Sequence, residues 1–559
     1  MSEKIYVVTL YRREDLEGFY NEMADKGFRL NMKRPISRNT QYWMTEEQAE
    51  ELRKDERVWG VEAADSFQVR RQVVNNSSYT KNGNFWKDDT QGPTTVSSND
   101  FQWGHIHCAG SASQRGKNSF GPISSGYTYE QVTDSISVFN NGQHVDVVIV
   151  DDPVSYDSEE WYSPSTSTSR FVQYQWFNEL NTIVNSIDDD GQTEPTGTIT
   201  YSTNSSLANY HGNHVCGTVA GQHYGWAREA NIYNLAVTDT WSSGQSVGPL
   251  LIFDYLRAFH LNKAVNPTTG YRNPTVTNHS YGGIYYMPSQ LNLSFSDLTS
   301  VNYQGVTYNS GNPGPSGWTQ SGVEADFGVR FNINAYPAYS SAVAADVQDA
   351  IDDGVIIIGA AGNDNLLIAS VNDSNWNNTI TVSGVGTLYY NRGGWPNTPD
   401  CDIITVGALS KQGDFRRSTY TNFGPGIDVF APGDNILSAY GNTGLNDSKY
   451  GSGNYFYPIN GTSMASPQVC GAAALIASAK RRITNSDVKG YLQRTSIKND
   501  MTFDTGSGSY NDNTSQQGSP NEYLHVQNPR QTSGMIEEVK GERRTSGSIF
   551  PRRSVYYQS

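Results

Sequence analysis

Apolar positions recur along the chain with two periods, and where the period switches, element types can be assigned. Ile5 to Leu10 reads as a strand, and Leu16, Phe19, Tyr20 and Met23 then fall at i, i+3, i+4 and i+7 on one helix face. Gly27 is the expected helix stop. Phe28 to Met32 alternates apolar and polar residues, and Gln41-Tyr42-Trp43-Met44 is a further short strand. Thr45-Glu46-Glu47-Gln48 is a capping box that opens a second helix running to about Asp55. Val58-Trp59-Gly60-Val61 closes the series as a last strand. The order β-α-β-β-α-β is that of a split βαβ, ferredoxin-like unit.

From about Gln72 to Gly142 the text turns Asn-, Ser- and Gly-rich and loses its period, which predicts linker and surface meander. Beyond it come apolar runs at Val147–Val150 and Val355–Ile358, and a further strand-like run at Ile403-Ile404-Thr405-Val406. Such runs suit strands buried on both faces of a parallel sheet. Val343, Val347, Ala350 and Ile351 form a helix face that Gly354 stops, and the Ala-rich stretch from Ser463 to about Lys480 predicts a long buried helix. The fold class expected is α/β, a doubly wound parallel sheet preceded by the small α+β unit. Residues 284–330, rich in Tyr, Asn and Gly without a helical period, read as a loop or β insertion, either walling the cleft or forming a surface patch. After about residue 525 the chain becomes a polar tail with Glu542-Arg543-Arg544 and Pro551-Arg552-Arg553.

Composition narrows the classes. The 559 residues carry 40 Lys+Arg against 56 Asp+Glu, a net charge of −16, which argues against nucleic acid as a partner. No run approaches eighteen apolar residues, so no membrane span is expected. Met1 to Val8 runs straight into Arg12-Arg13-Glu14-Asp15 with no apolar leader, so an intracellular or virion-associated location is expected. Cys108, Cys216, Cys401 and Cys470 are scattered, which excludes a disulfide scaffold or a sequence-evident zinc site. Small core residues are the expected role for Cys216 and Cys470.

Three motifs carry chemistry. Asp151, with Asp152-Pro153 after it, ends the run Val147–Val150, where open α/β sheets place functional groups. His211-Gly212-Asn213-His214 offers two histidines three apart, of which His214 reads as structural. Asn460-Gly461-Thr462-Ser463 ends a turn at the start of the Ala-rich helix, so the Ser463 hydroxyl sits at a positive helix end. Taken one at a time, each motif has a bland reading as a turn, a packed histidine or an N-cap serine.

In combination, the order Asp151, His211, Ser463 resembles the subtilisin-like serine proteases, also called subtilases or peptidase S8. Gly359-Ala360-Ala361-Gly362-Asn363 is similar to the family's oxyanion-hole segment, and Ser280-Tyr281-Gly282 to the strand that binds substrate backbone. Residues 1–70, notably Leu52 to Glu62, resemble the family's inhibitory propeptide of the inhibitor I9 type. The resemblance implies 1–70 as propeptide, 71–100 as linker, 101–525 as peptidase domain with the insertion 284–330, and 526–559 as tail. It also implies a serine endopeptidase made as a self-inhibited precursor, with polypeptide substrates and its own propeptide as partners. In that scheme His211 takes the Ser463 proton, Asp151 holds the imidazole, and Asn363 with the Ser463 backbone N–H receives the oxyanion. The prosegment would end near Val69-Arg70-Arg71, with self-cleavage between about 65 and 100.

Some residues depart from the family pattern. Asp152-Pro153 stands where the family has a small residue and Gly, so the turn under the site must differ; Asp151, directly after the apolar run, is taken as the orienting carboxylate. Asn213 replaces a common Thr. The span 221–230 is too short for the calcium loop of many relatives, and Asp188-Asp189-Asp190 reads as a solvated loop. No metal ligand is assigned and no cofactor is required for the chemistry, while structural calcium stays open. Two alternatives remain beside this reading: an inactive relative with a structural or binding role, and a protease tethered in a virus particle through its tail.

Residues 1–70 carry 12 basic and 14 acidic side chains, and 526–559 carry six and three, so the acidity belongs to 71–525. A field of that sign favours basic peptide substrates.

Overall fold

The computed structural model describes residues 3–64, 69–71, 85–86, 95–96, 101–110, 136, 138–184, 195–287, 292–331, 336–410, 416–441, 445–447, 455–480, 483–501, 518–526, 536–539 and 554–557. Asp188–Asp190, both Arg-containing clusters of the tail and most of the 71–100 linker lie outside them.

The apolar runs become strands of one eight-stranded sheet. Its order is Asn231–Ala236, Asp146–Asp151, Thr275–His279, Ile356–Ala360, Ile404–Leu409, Val429–Pro432, Glu522–Tyr523 and Ile497–Lys498. The first seven strands are parallel, and the short strand Ile497–Lys498 closes the edge antiparallel. Successive side chains feed opposite layers. Val147 and Ile149 join the core beneath the helices His211–Ala220 and Thr462–Ala479. Val148 and Val150 join the core shared with Trp176–Val184, Ile252–Asn262 and Ser341–Asp352. Asp151 ends the first strand laid down, and the next two strands in the chain pack on its opposite sides. That makes it the topological switch point, where open α/β sheets leave a crevice.

The N-terminal unit has the element order expected of it. Its sheet runs Arg29–Met32, Asn39–Met44, Lys4–Leu10, Val58–Ala63, with the helices Leu16–Asp25 and Glu46–Leu52 and a core of its own. Thr45 and Gln48 form the capping box, but the second helix ends at Leu52, short of Asp55. This unit docks on the helices Ile252–Asn262 and Ser341–Asp352 through buried charge. Arg34, with no exposed surface, bonds Asp254 at 2.7 Å and Asp346 at 3.2 Å, and Ser37 and Asn39 also donate to Asp346. Glu62 receives the Ser340 hydroxyl and the N–H groups of Ser341 and Ala342, capping the N-terminus of the helix Ser341–Asp352. Burial pushes the Asp254 carboxyl up to about 6 and raises those of Asp346 and Glu62.

Two expectations are corrected. The meander after Gln72 contains a buried helix, Trp103–Ala109, in which His105 and His107 mask the apolar pattern. The 284–330 segment is partly β, as read, but it also holds the helix Gln320–Phe327, capped by Thr319 and stopped by Gly328 at φ 70°. Its strands Val306–Tyr308 and Leu298–Tyr303 pair onward with Thr379–Val382 and Gly386–Tyr389, around a separate small core. In the tail, Ile536–Val539 pairs antiparallel with Ser554–Tyr557. Among the described residues, no helix is long and apolar enough to cross a membrane.

Candidate active site

Asp151 and His211 meet at the switch point. The His211 Nδ1 lies 2.5 Å from the Asp151 Oδ1, which also accepts the Asp152 N–H at 2.7 Å. Asp151 is fully buried and His211 is 4% exposed. His211 opens its helix, and Asn209 receives its backbone N–H. Gly212 is required there, since a Cβ would stand 2.4 Å from the Asp152 carbonyl oxygen. The bond to the Asp151 carboxylate, which only accepts, places the ring proton on Nδ1. Among the described residues, the His211 Nε2 is buried without a hydrogen-bond partner.

Ser463 lies in the first turn of Thr462–Ala479, after Gly461 at φ 151°, a conformation that only glycine adopts readily. Its hydroxyl donates to the Ser280 carbonyl at 3.1 Å. Pro467, inside the helix, has no N–H for the Ser463 carbonyl, and the Ser280 hydroxyl fills that gap at 3.0 Å. Asn363 follows the strand Ile356–Ala360, and its amide oxygen receives both the N–H and the hydroxyl of Thr462 at 3.0 Å. The amide is thereby fixed with its NH2 edge as the donor side.

Ser280, Tyr281 and Gly282 lie where the parallel strand Thr275–His279 gives way to the cleft strand Tyr281–Tyr285. Asn397 donates to the Tyr281 carbonyl at 3.2 Å, and the Trp395 ring fills the space where a side chain on Gly283 would stand. The chain's own segment Val69–Arg71 lies antiparallel against this strand. Arg71 is opposite Tyr281, Arg70 opposite Gly282, and Val69 opposite Gly283. Ser463, like Asp151, has no exposed surface.

Asp152 is fully buried and receives the Thr238 hydroxyl. The carboxylate bonded to the His211 Nδ1 is that of Asp151, and Asp151, Asp152 and His211 together bring potential metal-ligand atoms within 4.8 Å of one another. His214 turns away, its Nε2 donating to the carbonyls of Ile436 and Tyr457, and burial lowers its pKa to about 3. All four cysteines are buried free thiols, and burial raises the Cys216 and Cys470 pKa values. In the short 221–230 region, the buried Glu160 accepts the N–H groups of His223 and Tyr224, and burial pushes its carboxyl up to about 7. Thr238 and Trp395 carried no motif in the sequence; the pair Gly282-Gly283 was the visible trace of the close approach.

The structure thus brings Asp151 to His211 and places Ser463 at a helix start against Ser280, with the Ser463 hydroxyl bonded to the Ser280 carbonyl and not to His211. The chain belongs to the subtilase family, peptidase S8, whose model matches residues 14–525. It is similar to Subtilisin DY of Bacillus licheniformis, 29% identical over 221 residues that cover 39% of this chain and 67% of that one. It is also similar to a cuticle-degrading protease of Metarhizium anisopliae, 25% identical over 292 residues, 52% of this chain and 50% of the relative. The matched segments thus span between half and two thirds of these relatives. Among solved structures, fervidolysin of Fervidobacterium pennivorans, a keratinolytic enzyme related to subtilisin, aligns over 96% of this chain and 63% of its own at 17% identity and a TM-score of 0.48.

Proposed function

We propose that this chain is a serine endopeptidase made as a self-inhibited precursor, with Asp151, His211 and Ser463 as its triad. His211 Nε2 takes the Ser463 proton as the hydroxyl attacks a peptide carbonyl, and later delivers it to the leaving amine. Asp151 keeps Nδ1 protonated and stabilises the imidazolium; this division of labour is that of the subtilisin-type triad. The Asn363 NH2 and the Ser463 backbone N–H receive the developing oxyanion at the positive end of the helix Thr462–Ala479. A strand edge at Tyr281–Gly283 suits polypeptide backbone better than a small ester.

The observation that carries the reading is Val69–Arg71 laid as a strand against Tyr281–Gly283, beside a nucleophile with no exposed surface. A peptide strand already occupies the edge that substrate would use, and it continues from a unit locked to the peptidase through Arg34 and Glu62. Residues 1–70 then act as an intramolecular inhibitor that self-cleavage releases.

A fluorophosphonate probe tests the nucleophile. Wild-type protein should label and Ser463→Ala should not; equal labelling of the two overturns the enzyme reading. Mass spectrometry of the active protein should find a new N-terminus between about 65 and 100, and one intact N-terminus in fully active protein overturns the precursor reading.

A further inference from the structure

Residues 151–155, the end of the strand Asp146–Asp151 and the turn after it, are all buried. Polar backbone groups placed there need partners inside the protein, and Pro153 brings no N–H of its own. One side chain on the edge strand Asn231–Ala236 supplies the partners. The Asn234 amide donates to the carbonyls of Ile149 and Asp152, both at 3.1 Å. Its oxygen receives the Val154 N–H at 3.1 Å and the Trp241 indole N–H at 3.0 Å. Carbonyls only accept and these two N–H groups only donate, so the amide has one possible orientation. Asn234 has no exposed surface, and the four bonds use the whole capacity of a carboxamide.

The amide therefore grips the chain on both sides of Asp151, at Ile149 before it and at Asp152 and Val154 after it. Asp152 links that grip to the site. Its N–H donates at 2.7 Å to the Asp151 Oδ1, the same oxygen that the His211 Nδ1 meets at 2.5 Å. Its carbonyl, the one Asn234 holds, lies against Gly212, where a Cβ would stand 2.4 Å away. Only the two backbone dihedrals of Asp152 separate the bond that aims Asp151 from the bond made by Asn234. Beyond Val154, the Ser155 N–H is held at 2.9 Å by Asn213 of the helix His211–Ala220, so the far end of the turn is tied to that helix.

We propose that Asn234 is a positioning residue for the reaction, holding the Asp152 backbone in the arrangement that aims the Asp151 carboxylate at the His211 imidazole. This role rests on the serine-endopeptidase reading above and adds a residue that acts through the Asp152 backbone, not by contact with the reacting atoms. It also accounts for the Asp152-Pro153 turn. Proline has no N–H with which to tie the turn to the sheet, and a carboxamide from the neighbouring strand does so instead. An apolar residue at 234 would leave two carbonyls and two N–H groups buried without that partner.

The test uses the full chain, allowed to process itself, with a fluorogenic peptide and a fluorophosphonate probe. Asn234→Leu removes all four bonds at similar volume. Asn485→Leu is the comparison, because Asn485 is equally buried and its amide bonds Ile357 and Asp402, away from Asp151 and His211. Asn234→Leu should lower kcat by about 10²-fold with KM little changed. It should also weaken the low-field proton resonance of the His211 Nδ1 bonded to Asp151. Asn485→Leu should lose stability yet keep kcat within about two-fold of wild type, with that resonance intact. Undiminished kcat in Asn234→Leu, or equal losses of kcat in the two variants, overturns the proposal. Should Asn234→Leu fail to fold, Asn234→Asp decides. Burial keeps that carboxyl protonated, and its single O–H cannot serve both carbonyls, so kcat should fall about ten-fold at unchanged KM. An unchanged kcat in Asn234→Asp refutes the role. Wild-type protein that labels and cleaves, beside an equally active Asn234→Leu, sinks this proposal alone; wild-type protein that neither labels nor cleaves sinks the endopeptidase reading with it.

Discussion

Ser280 and Ser463 exchange hydrogen bonds, each hydroxyl donating to the other's backbone carbonyl, at 3.0 and 3.1 Å. The exchange ties the strand Tyr281–Tyr285 to the helix Thr462–Ala479 at the point where Pro467 withholds a helical N–H. Ser280 is held in turn by the Asn278 amide at 2.8 Å, and Asn278 receives the Ser466 hydroxyl at 2.8 Å. Ser280→Ala leaves the Ser463 carbonyl buried without that donor, at a cost of roughly 1–3 kcal/mol. Urea unfolding should show the loss, and kcat should fall with it as the nucleophile loosens. Unchanged stability and kcat would show that the pair does not hold the site together.

Asn363 should act in the transition state more than in substrate binding, because its amide is fixed by Thr462 before substrate arrives. Asn363→Ala is expected to lower kcat by roughly 10²–10³ with KM little changed, the magnitude known from subtilisin, a relative of this chain. Steady-state kinetics on one peptide settles it, and a change confined to KM would contradict the role.

Glu160 gives the folded chain a pH signature away from Asp151 and His211. Burial raises its carboxyl to about 7 in the folded state, against an ordinary value near 4.5. A raised folded pKa means the folded state holds the proton more tightly. The stabilisation is therefore full below about 4.5 and is lost as pH rises through about 7. Over that window wild type should lose on the order of 3 kcal/mol relative to Glu160→Gln. Paired thermal melts from pH 4.5 to 8 check this, and parallel pH profiles for the two proteins would refute it.

Arg34 sits between two buried carboxylates, so removing it strands charge. Arg34→Met should weaken docking of the N-terminal unit by about 3–5 kcal/mol, with faster proteolysis of residues 1–64 and earlier probe labelling of Ser463. Adding Asp254→Leu should recover part of the loss, since the two sites share a partner. Additive losses in the double variant would show that the cluster is not coupled.

How legible each element was depended on where its polar residues went. Val147–Val150 and Val355–Ile358 were plain because strands covered on both faces have no polar positions to interrupt the run. Asn231–Ala236 was missed because Asn234 is buried inside it, its amide donating to the carbonyls of Ile149 and Asp152. Ile252–Asn262 was missed because Asp254 and Arg257 break its apolar face, and both are paired across interfaces, to Arg34 and to Asp353. In Trp176–Val184 the buried face is Trp176, Phe177, Leu180 and Val184, a helical spacing that the polar Asn178, Glu179, Asn181 and Thr182 interrupt.

By itself the sequence determined which residues are candidates for the chemistry. Asp151, His211, Ser463 and Asn363 stood out because each lies at an element end that apolar runs and glycines mark locally. It also determined the ferredoxin-like order of the first 63 residues and the acidity of the central segment. Only the tertiary structure decided which carboxylate meets His211, since Asp151 and Asp152 are neighbours in the chain and only the strand's end separates their directions. Only it placed Arg34 between Asp254 and Asp346, and Val69–Arg71 against Tyr281–Gly283. Partners hundreds of residues apart are chosen by packing and by the need to pair buried charge, and no local pattern records that choice.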